Sequence, residues 1–317
     1  MNSIVIAGAG VFGTAFAERL AGNPDNNITL YTIEQDVVED INLRHQNSSY
    51  FPGRHIRKEI RATDDISCAY DADYLFLVIP SKVIEGFSKS IIGKMREDTL
   101  VVNLAKGFAN DGQFLTEVIP FKRVGSMKGP TFAIEVLNGV PTAMTYGGSE
   151  NDYLQLKGEV LRDIGLVTDF TEDMRGAELL SILKNMYAIA IGIISGRYNS
   201  PNVDFILMTK AVNEMKALLQ LYGCSEETIF RYCGLGDLGL TALNDLSRNR
   251  TLGLLIGKGF SDDPSGGIVL EGMKTIKLMG ELVIEKGLKD QFPVLHALYD
   301  FMYIHKQLNR YIISVLS

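Results

Sequence analysis

The stretch Ile4-Val5-Ile6-Ala7-Gly8-Ala9-Gly10-Val11-Phe12-Gly13 decides the fold. A short apolar run reads as a strand, a G-x-G-x-x-G sequence follows it directly, and a helical pattern opens inside that sequence at Val11. Each glycine has its own reason. Gly8 permits a tight turn, Gly10 lets the backbone approach a pyrophosphate, and Gly13 lets the helix pack closely on the strand. The N-terminus of the helix then offers free N–H groups to an anion. This context predicts a bound dinucleotide. The same fingerprint also serves flavin, and the bland alternative is a glycine-rich turn that binds nothing.

The end of the second strand chooses between the nicotinamide cofactors, because an acid there bonds the ribose 2′-hydroxyl whereas a nearby Arg accommodates a 2′-phosphate. The chain reads Tyr31-Thr32-Ile33-Glu34, and neither Arg nor Lys occurs from Tyr31 until Arg44. Glu34 stands 21 residues past Gly13, close to the expected spacing of about 20. The reading leans to NAD over NADP. Its alternative is that Glu34 is a solvated acid in the first turn of the next helix, where acids are favoured in any case.

Outward from this unit, apolar runs at residues 4–7, 28–31, 75–79 and 100–104 each precede a stretch long enough for a helix. They are rich in Val, Ile and Leu without polar alternation, as strands covered on both faces should be. Runs at 124–127, 142–146 and 166–169 extend the sheet. Beyond about residue 171 the pattern becomes helical, at 179–194, 203–221, 252–258, 273–285 and 294–308. The expected fold class is therefore α/β, an N-terminal Rossmann-like doubly wound sheet over residues 1–175 followed by a mainly α-helical domain over 176–317. No flexible linker composition separates them, so the join is a helix or a packed connection.

Composition excludes several classes of function. With 31 basic against 38 acidic residues the net charge is −7, which leaves no basic surplus for nucleic acid or an anionic membrane. Three scattered cysteines without a C-x-x-C pair argue against disulfides and zinc, and four dispersed histidines make no ligand cluster, so no metal is expected. The longest unbroken apolar run, residues 186–195, is shorter than the ~20 residues of a membrane span. With no basic n-region or small-residue cleavage site before the first strand, the expected location is the cytoplasm.

Four further places carry chemistry. Lys106, in Asn103-Leu104-Ala105-Lys106-Gly107, stands at the carboxyl end of a central strand, where open α/β sheets bind ligands; its alternative is an ordinary surface lysine. Lys184, with Asn185, interrupts an apolar helix. Burial of an ammonium lowers its pKa and suits it to exchange a proton with a substrate oxygen, the alternative being a lysine that snorkels to solvent. A glycine-rich segment, residues 234–241, contains Asp237 and Thr241. Beyond it, Ser247-Arg248-Asn249-Arg250 places two arginines around an asparagine, with Ser247 as an N-cap, and suggests an anion site; the alternative is a capped helix with surface arginines.

In order along the chain, these segments together with Tyr50-Phe51-Pro52-Gly53, Gly129-Pro130-Thr131-Phe132-Ala133-Ile134-Glu135-Val136 and Glu271-Gly272 resemble the NAD(P)-dependent glycerol-3-phosphate dehydrogenase family of the bacterial type. The resemblance spans nearly the whole chain. It implies an oxidoreductase that interconverts dihydroxyacetone phosphate and sn-glycerol 3-phosphate, with Lys184 as proton donor and acceptor. It further implies that Lys106 and Asp237 orient the reacting oxygen and that Arg248 and Asn249 hold the phosphate. Gly129, Thr131, Asn185, Thr241 and Ser247 complete the implied substrate contacts. Gly8, Gly10, Val11, Phe12, Gly13, Ile33, Glu34, Lys106, Ala133, Arg248, Val269 and Glu271 are the implied cofactor contacts.

The chain departs from the family pattern at Ile33, where NADPH-using members commonly carry a basic residue, and at Thr131, which keeps a hydroxyl. It departs again at Asp204 and at Thr209-Lys210-Ala211. The alternatives are a dehydrogenase of another small phosphorylated or carboxylated hydroxy compound, and a non-catalytic dinucleotide sensor. The apolar helices at 179–194 and 203–221 suggest subunit contact, and a homodimer is expected.

Overall fold

The computed structural model describes residues 1–110, 112–260 and 270–317. The chain forms two compact units, Met1–Glu178 and Leu179–Ser317.

In the first unit the strands are β1 (Asn2–Ala7), β2 (Asn26–Tyr31), β3 (Arg61–Thr63), β4 (Tyr74–Leu77), β5 (Leu100–Asn103), β6 (Arg123–Lys128), β7 (Thr142–Gly147) and β8 (Leu166–Thr171). Among the described residues they form one eight-stranded sheet in the order β3-β2-β1-β4-β5-β6-β7-β8. Ile4 lies opposite Ile28 on one side of β1 and opposite Tyr74 on the other, both pairings parallel. Within this sheet, among the described residues, only the β6–β7 pairing is antiparallel, with Met127 opposite Tyr146. The strand order reverses between β1 and β4, which puts the ligand crevice of such a sheet at their carboxyl ends.

The side chains explain why both faces are covered. Ile4, Ile6, Tyr74, Phe76, Leu100 and Val102 enter one apolar cluster, while Val5, Ala7, Leu75, Leu77 and Val101 enter another. Successive strand residues point to opposite faces, so the continuous apolar runs feed two cores at once. The helices of this unit are α1 (Val11–Leu20), α2 (Gln35–Glu39), α3 (Ser81–Ile91), α4 (Ala133–Leu137) and α5 (Glu150–Glu159). Strand β3 was not anticipated, because Arg61-Ala62-Thr63 carries no apolar run.

The next helix, α6 (Met174–Tyr198), contains the Glu178/Leu179 division, and α7 (Pro201–Leu221), α8 (Asp237–Leu243), α9 (Arg248–Gly257), α10 (Glu271–Glu285), α11 (Pro293–Tyr299) and α12 (Leu308–Leu316) follow. By length and composition α6 is able to span a membrane, with a best window of mean hydropathy 1.6, which corrects the estimate from the unbroken run 186–195. That window is 94% buried inside the protein, so α6 is a core helix. Its backbone meets that of α9 through glycines: a Cβ at Gly192 would stand 2.5 Å from Arg250 O, and one at Gly253 2.3 Å from Ile189 O. The expected helix over 294–308 is also corrected. It starts as expected, α11 continuing directly into a π-helical segment over Asp300–His305, but it ends at Lys306, with φ +47°, before α12.

Candidate functional site

In the first unit, Gly8 has φ +116° and a Cβ there would meet Val78 O at 2.8 Å, while a Cβ at Gly13 would fall 1.8 Å from Gly8 O. The chain itself requires these two glycines. Gly10 differs, because a Cβ there would meet nothing within 4 Å. The space in front of Gly10 is open, at the start of a helix that no side chain caps among the described residues. These residues fit a dinucleotide pyrophosphate, which needs exposed N–H groups and close backbone approach. Asn47, which no motif in the sequence marks, pins the loop: its amide nitrogen donates to Ala9 O and to Thr14 Oγ1, both at 2.8 Å.

At the end of β2, Ile33 is 82% exposed and Glu34 is exposed beside it, at the N-cap position of α2. The Tyr50 hydroxyl donates to Glu34 Oε1 at 2.8 Å and Oε2 at 3.1 Å, and this bond to an anion raises the Tyr50 phenol above its ordinary pKa. Glu34 is therefore held as well as solvated. Phe12, Tyr50 and Ala133 pack around Ala15, Phe51 and Val136, so three distant stretches of the sequence meet at one place. Val11 lies exposed at the first position of α1.

Lys106 is half-buried, between the end of β5 and Gly107, whose φ is +124°. Asn103, fully buried, accepts from Ala105 N at 3.0 Å and donates its amide to the buried Glu178 carboxylate. Gly129 follows β6, and a Cβ there would stand 2.4 Å from Ala143 O, so packing against β7 alone requires glycine at this position. Thr131 is half-buried, with its hydroxyl donating to Gly129 O at 3.3 Å.

In the second unit, α6 carries Lys184, and α8 carries Asp237 and Thr241 on one face, because residues four apart are neighbours on a helix. The Lys184 ammonium donates to Asp237 Oδ1 and, at 2.8 Å, to Thr241 Oγ1. The Lys184 and Asp237 side chains are only 6% and 1% exposed. An ammonium withdrawn this far from water needs a compensating charge, and Asp237 supplies it. Lys184 thus does not snorkel.

Next to it, Asn185 Oδ1 accepts from Asn249 Nδ2 at 3.0 Å. Ser247 caps α9, its Oγ accepting from Arg250 N at 3.3 Å, and Arg248 is exposed in the first turn. Gly272 leaves the room this arrangement needs, since a Cβ there would stand 2.6 Å from Asn249 Oδ1. Glu271 opens α10 and pairs with Lys274 at 3.0 Å; Val269 lies outside the described residues.

The notion of two arginines sharing one anion is corrected. Arg250 is buried, donates to Ala242 O, to Asp245 at 3.1 Å and to Ser195 Oγ at 3.1 Å, and lies 3.9 Å from Asp204. Asp204 in turn accepts from Ser195 Oγ at 2.7 Å, and Lys210 donates to Val315 O at 2.9 Å. Two of the departures from the family pattern therefore serve the internal bonding of the helical unit. Among the described residues no group of His, Cys, Asp and Glu is arranged to hold a metal.

Residues 3–154 match the NAD-dependent glycerol-3-phosphate dehydrogenase N-terminus and residues 173–312 the C-terminus of the same family. A glycerol-3-phosphate dehydrogenase [NAD(P)+] of Methanothermobacter thermautotrophicus is 34% identical over 315 residues, covering 98% of this chain and 96% of that protein. The crystal structure of glycerol-3-phosphate dehydrogenase from Coxiella burnetii superposes with a TM-score of 0.86 at 26% identity, over 99% of this chain and 98% of that one. The yeast enzyme from Saccharomyces cerevisiae, at 22% identity and a TM-score of 0.87 over 100% of this chain and 99% of that one, shares the fold. With its two units matched over nearly their full lengths, the chain belongs to the NAD-dependent glycerol-3-phosphate dehydrogenase family.

Proposed function

We propose that this oxidoreductase interconverts dihydroxyacetone phosphate and sn-glycerol 3-phosphate, with Lys184 as the group that gives and takes the hydroxyl proton. The observation that carries the assignment of Lys184 is its buried ammonium, bonded to Asp237 and Thr241 inside the helical unit. The bound nicotinamide dinucleotide supplies or accepts the hydride. Gly8, Gly10 and Gly13 with the start of α1 form its pyrophosphate cradle, with Val11, Phe12, Ile33 and Ala133 at its border.

In the reducing direction Lys184 Nζ releases a proton to the carbonyl oxygen, and in the oxidising direction it takes the proton from the hydroxyl. Asp237 and Thr241 hold the nitrogen at one position. Arg248 and Asn249 grip the phosphate, with Ser247 and Asn185 fixing the backbone and side-chain amide behind them; Lys106, Gly129 and Thr131 are the further substrate contacts of this reading. Gripping a phosphate remote from the reacting carbon converts binding energy into alignment, an effect that reaches about 7–11 kcal/mol in well-oriented reactions.

Glu34, held by Tyr50, accepts from the ribose 2′-hydroxyl, and the exposed Ile33 offers no charge to a 2′-phosphate, so NAD is the preferred cofactor. The enzyme acts in the cytoplasm as a homodimer, a state that light scattering of the purified chain tests. Steady-state oxidation of NADH and NADPH with dihydroxyacetone phosphate, for wild type beside Lys184→Ala, tests the chemistry. Turnover that needs the phosphorylated triose, favours NADH and disappears in the variant is expected. Full turnover by the variant refutes the role of Lys184.

A further inference from the structure

Lys128 ends β6 with 1% of its surface exposed, and no step of the reaction above uses it. Burying an ammonium is costly unless its protons find acceptors. Strand register shows where they are found. Asn103, the last residue of β5, lies opposite Ser126, so β6 runs two residues further and sets Lys128 beside the chain that leaves β5. There Lys128 Nζ donates to Asn103 O and to Ala105 O, both at 2.8 Å. Ala105 O belongs to the peptide that joins Ala105 to Lys106. The N–H of Ala105 is taken at 3.0 Å by Asn103 Oδ1, whose own amide is fixed by the buried Glu178 carboxylate. Thr116 Oγ1 at 2.9 Å secures that carboxylate in turn.

The backbone immediately before Lys106 is thus gripped on both its polar groups, one by an amide anchored to a buried acid and the other by a buried ammonium. Stability does not demand this arrangement, because well-packed apolar residues often replace buried charges at no loss. The geometry points to Lys128 as a positioning residue, which clamps the Asn103–Ala105 segment so that Lys106 meets the substrate oxygen in one place. The inference rests on the proposed contact between Lys106 and substrate.

A kinetic double-mutant cycle tests it, with dihydroxyacetone phosphate and NADH, on wild type, Lys128→Met, Lys106→Ala and the double variant. Displacing a reacting or orienting group by about 1 Å can cost up to about 100-fold. A fall of about 10-fold or more in kcat/KM is expected for Lys128→Met, chiefly in kcat, and the same substitution should cost less than about 2-fold once Lys106 is already Ala. Faster amide hydrogen exchange at Lys106 and Gly107 accompanies it. Equal losses in both backgrounds, or wild-type kinetics for Lys128→Met, overturn the clamp. Full activity of Lys106→Ala instead overturns the role of Lys106, a separate result. If Lys128→Met does not fold, Lys128→Gln, which keeps a shorter donor, is read through the same cycle with the same criteria.

Discussion

Replacing Asp237 by Asn tests the buried ion pair directly. The substitution preserves shape and one acceptor oxygen but removes the charge that compensates Lys184. With the two side chains only 6% and 1% exposed, water does not take the place of that charge. Removing one partner of such a pair costs about 3–5 kcal/mol, and the retained amide oxygen together with the Thr241 hydroxyl at 2.8 Å puts Asp237→Asn near the lower end of this range. That is a large share of the ~5–15 kcal/mol that holds a typical domain folded.

Urea unfolding followed by circular dichroism, on wild type, Asp237→Leu, Lys184→Met and Lys184→Met/Asp237→Leu, then isolates the pair. The double variant, with no charge left to bury, should be more stable than the sum of the single losses by about 3 kcal/mol. Asp237→Asn is measured beside them. A cost below about 1 kcal/mol for Asp237→Asn, as for a solvent-exposed ion pair, together with additive single effects, would refute the reasoning.

Gly10→Ala adds a methyl to open space at φ −75° and should leave the melting temperature unchanged or slightly raised while weakening NADH binding at least 10-fold in a fluorescence titration. Gly13→Ala, whose Cβ falls 1.8 Å from Gly8 O, should instead lower stability, and equal melting temperatures for the two variants would contradict the division of roles. Glu214 accepts from Val294 N at 2.6 Å and from the Tyr187 hydroxyl at 2.8 Å, yet burial pushes its carboxyl up to about 7. Because the folded form keeps a proton that the unfolded chain releases near 4.5, the contribution of this group is fully present below that pH and is lost as pH rises through about 7. At about 1.4 kcal/mol per pKa unit the change is of order 3 kcal/mol, and it should be missing from the stability–pH curve of Glu214→Gln. Identical curves would show that Glu214 does not titrate there. Gly272→Ala, with a Cβ 2.6 Å from Asn249 Oδ1, should raise KM for the phosphorylated triose several-fold with NADH binding unaltered; an unchanged KM would separate Asn249 from the phosphate grip.

Much of the sheet was legible because its strands are covered on both faces and so appear as unbroken apolar runs, and the glycine motif was legible because backbone geometry fixes which residues its turn accepts. Strand β3 was not, since a three-residue edge strand buries too little to require an apolar sequence. Helix α8 was hidden behind glycines, and the reversal at Lys306 fell inside an apparently continuous helical period. The arginine pair misled for another reason: spacing along a chain does not say which of two neighbouring side chains on a helix faces inward. Arg250 turned to Asp245, Ser195 and Asp204, leaving Arg248 at the surface.

The sequence by itself determined the class of sheet, the dinucleotide loop, the helical second half and the presence of an unusual lysine within an apolar helix, because each is a local pattern of periodicity, backbone freedom or polarity. Only the tertiary structure decided the partners. Lys184 is 53 residues from Asp237, Tyr50 is 16 from Glu34, and Lys128 is 25 from Asn103 and 23 from Ala105. Buried charges and hydroxyls are satisfied by whatever the packing brings within about 3 Å. That distance is set by strand register and by the glycine-to-glycine crossing of α6 and α9, which no local stretch of the chain encodes.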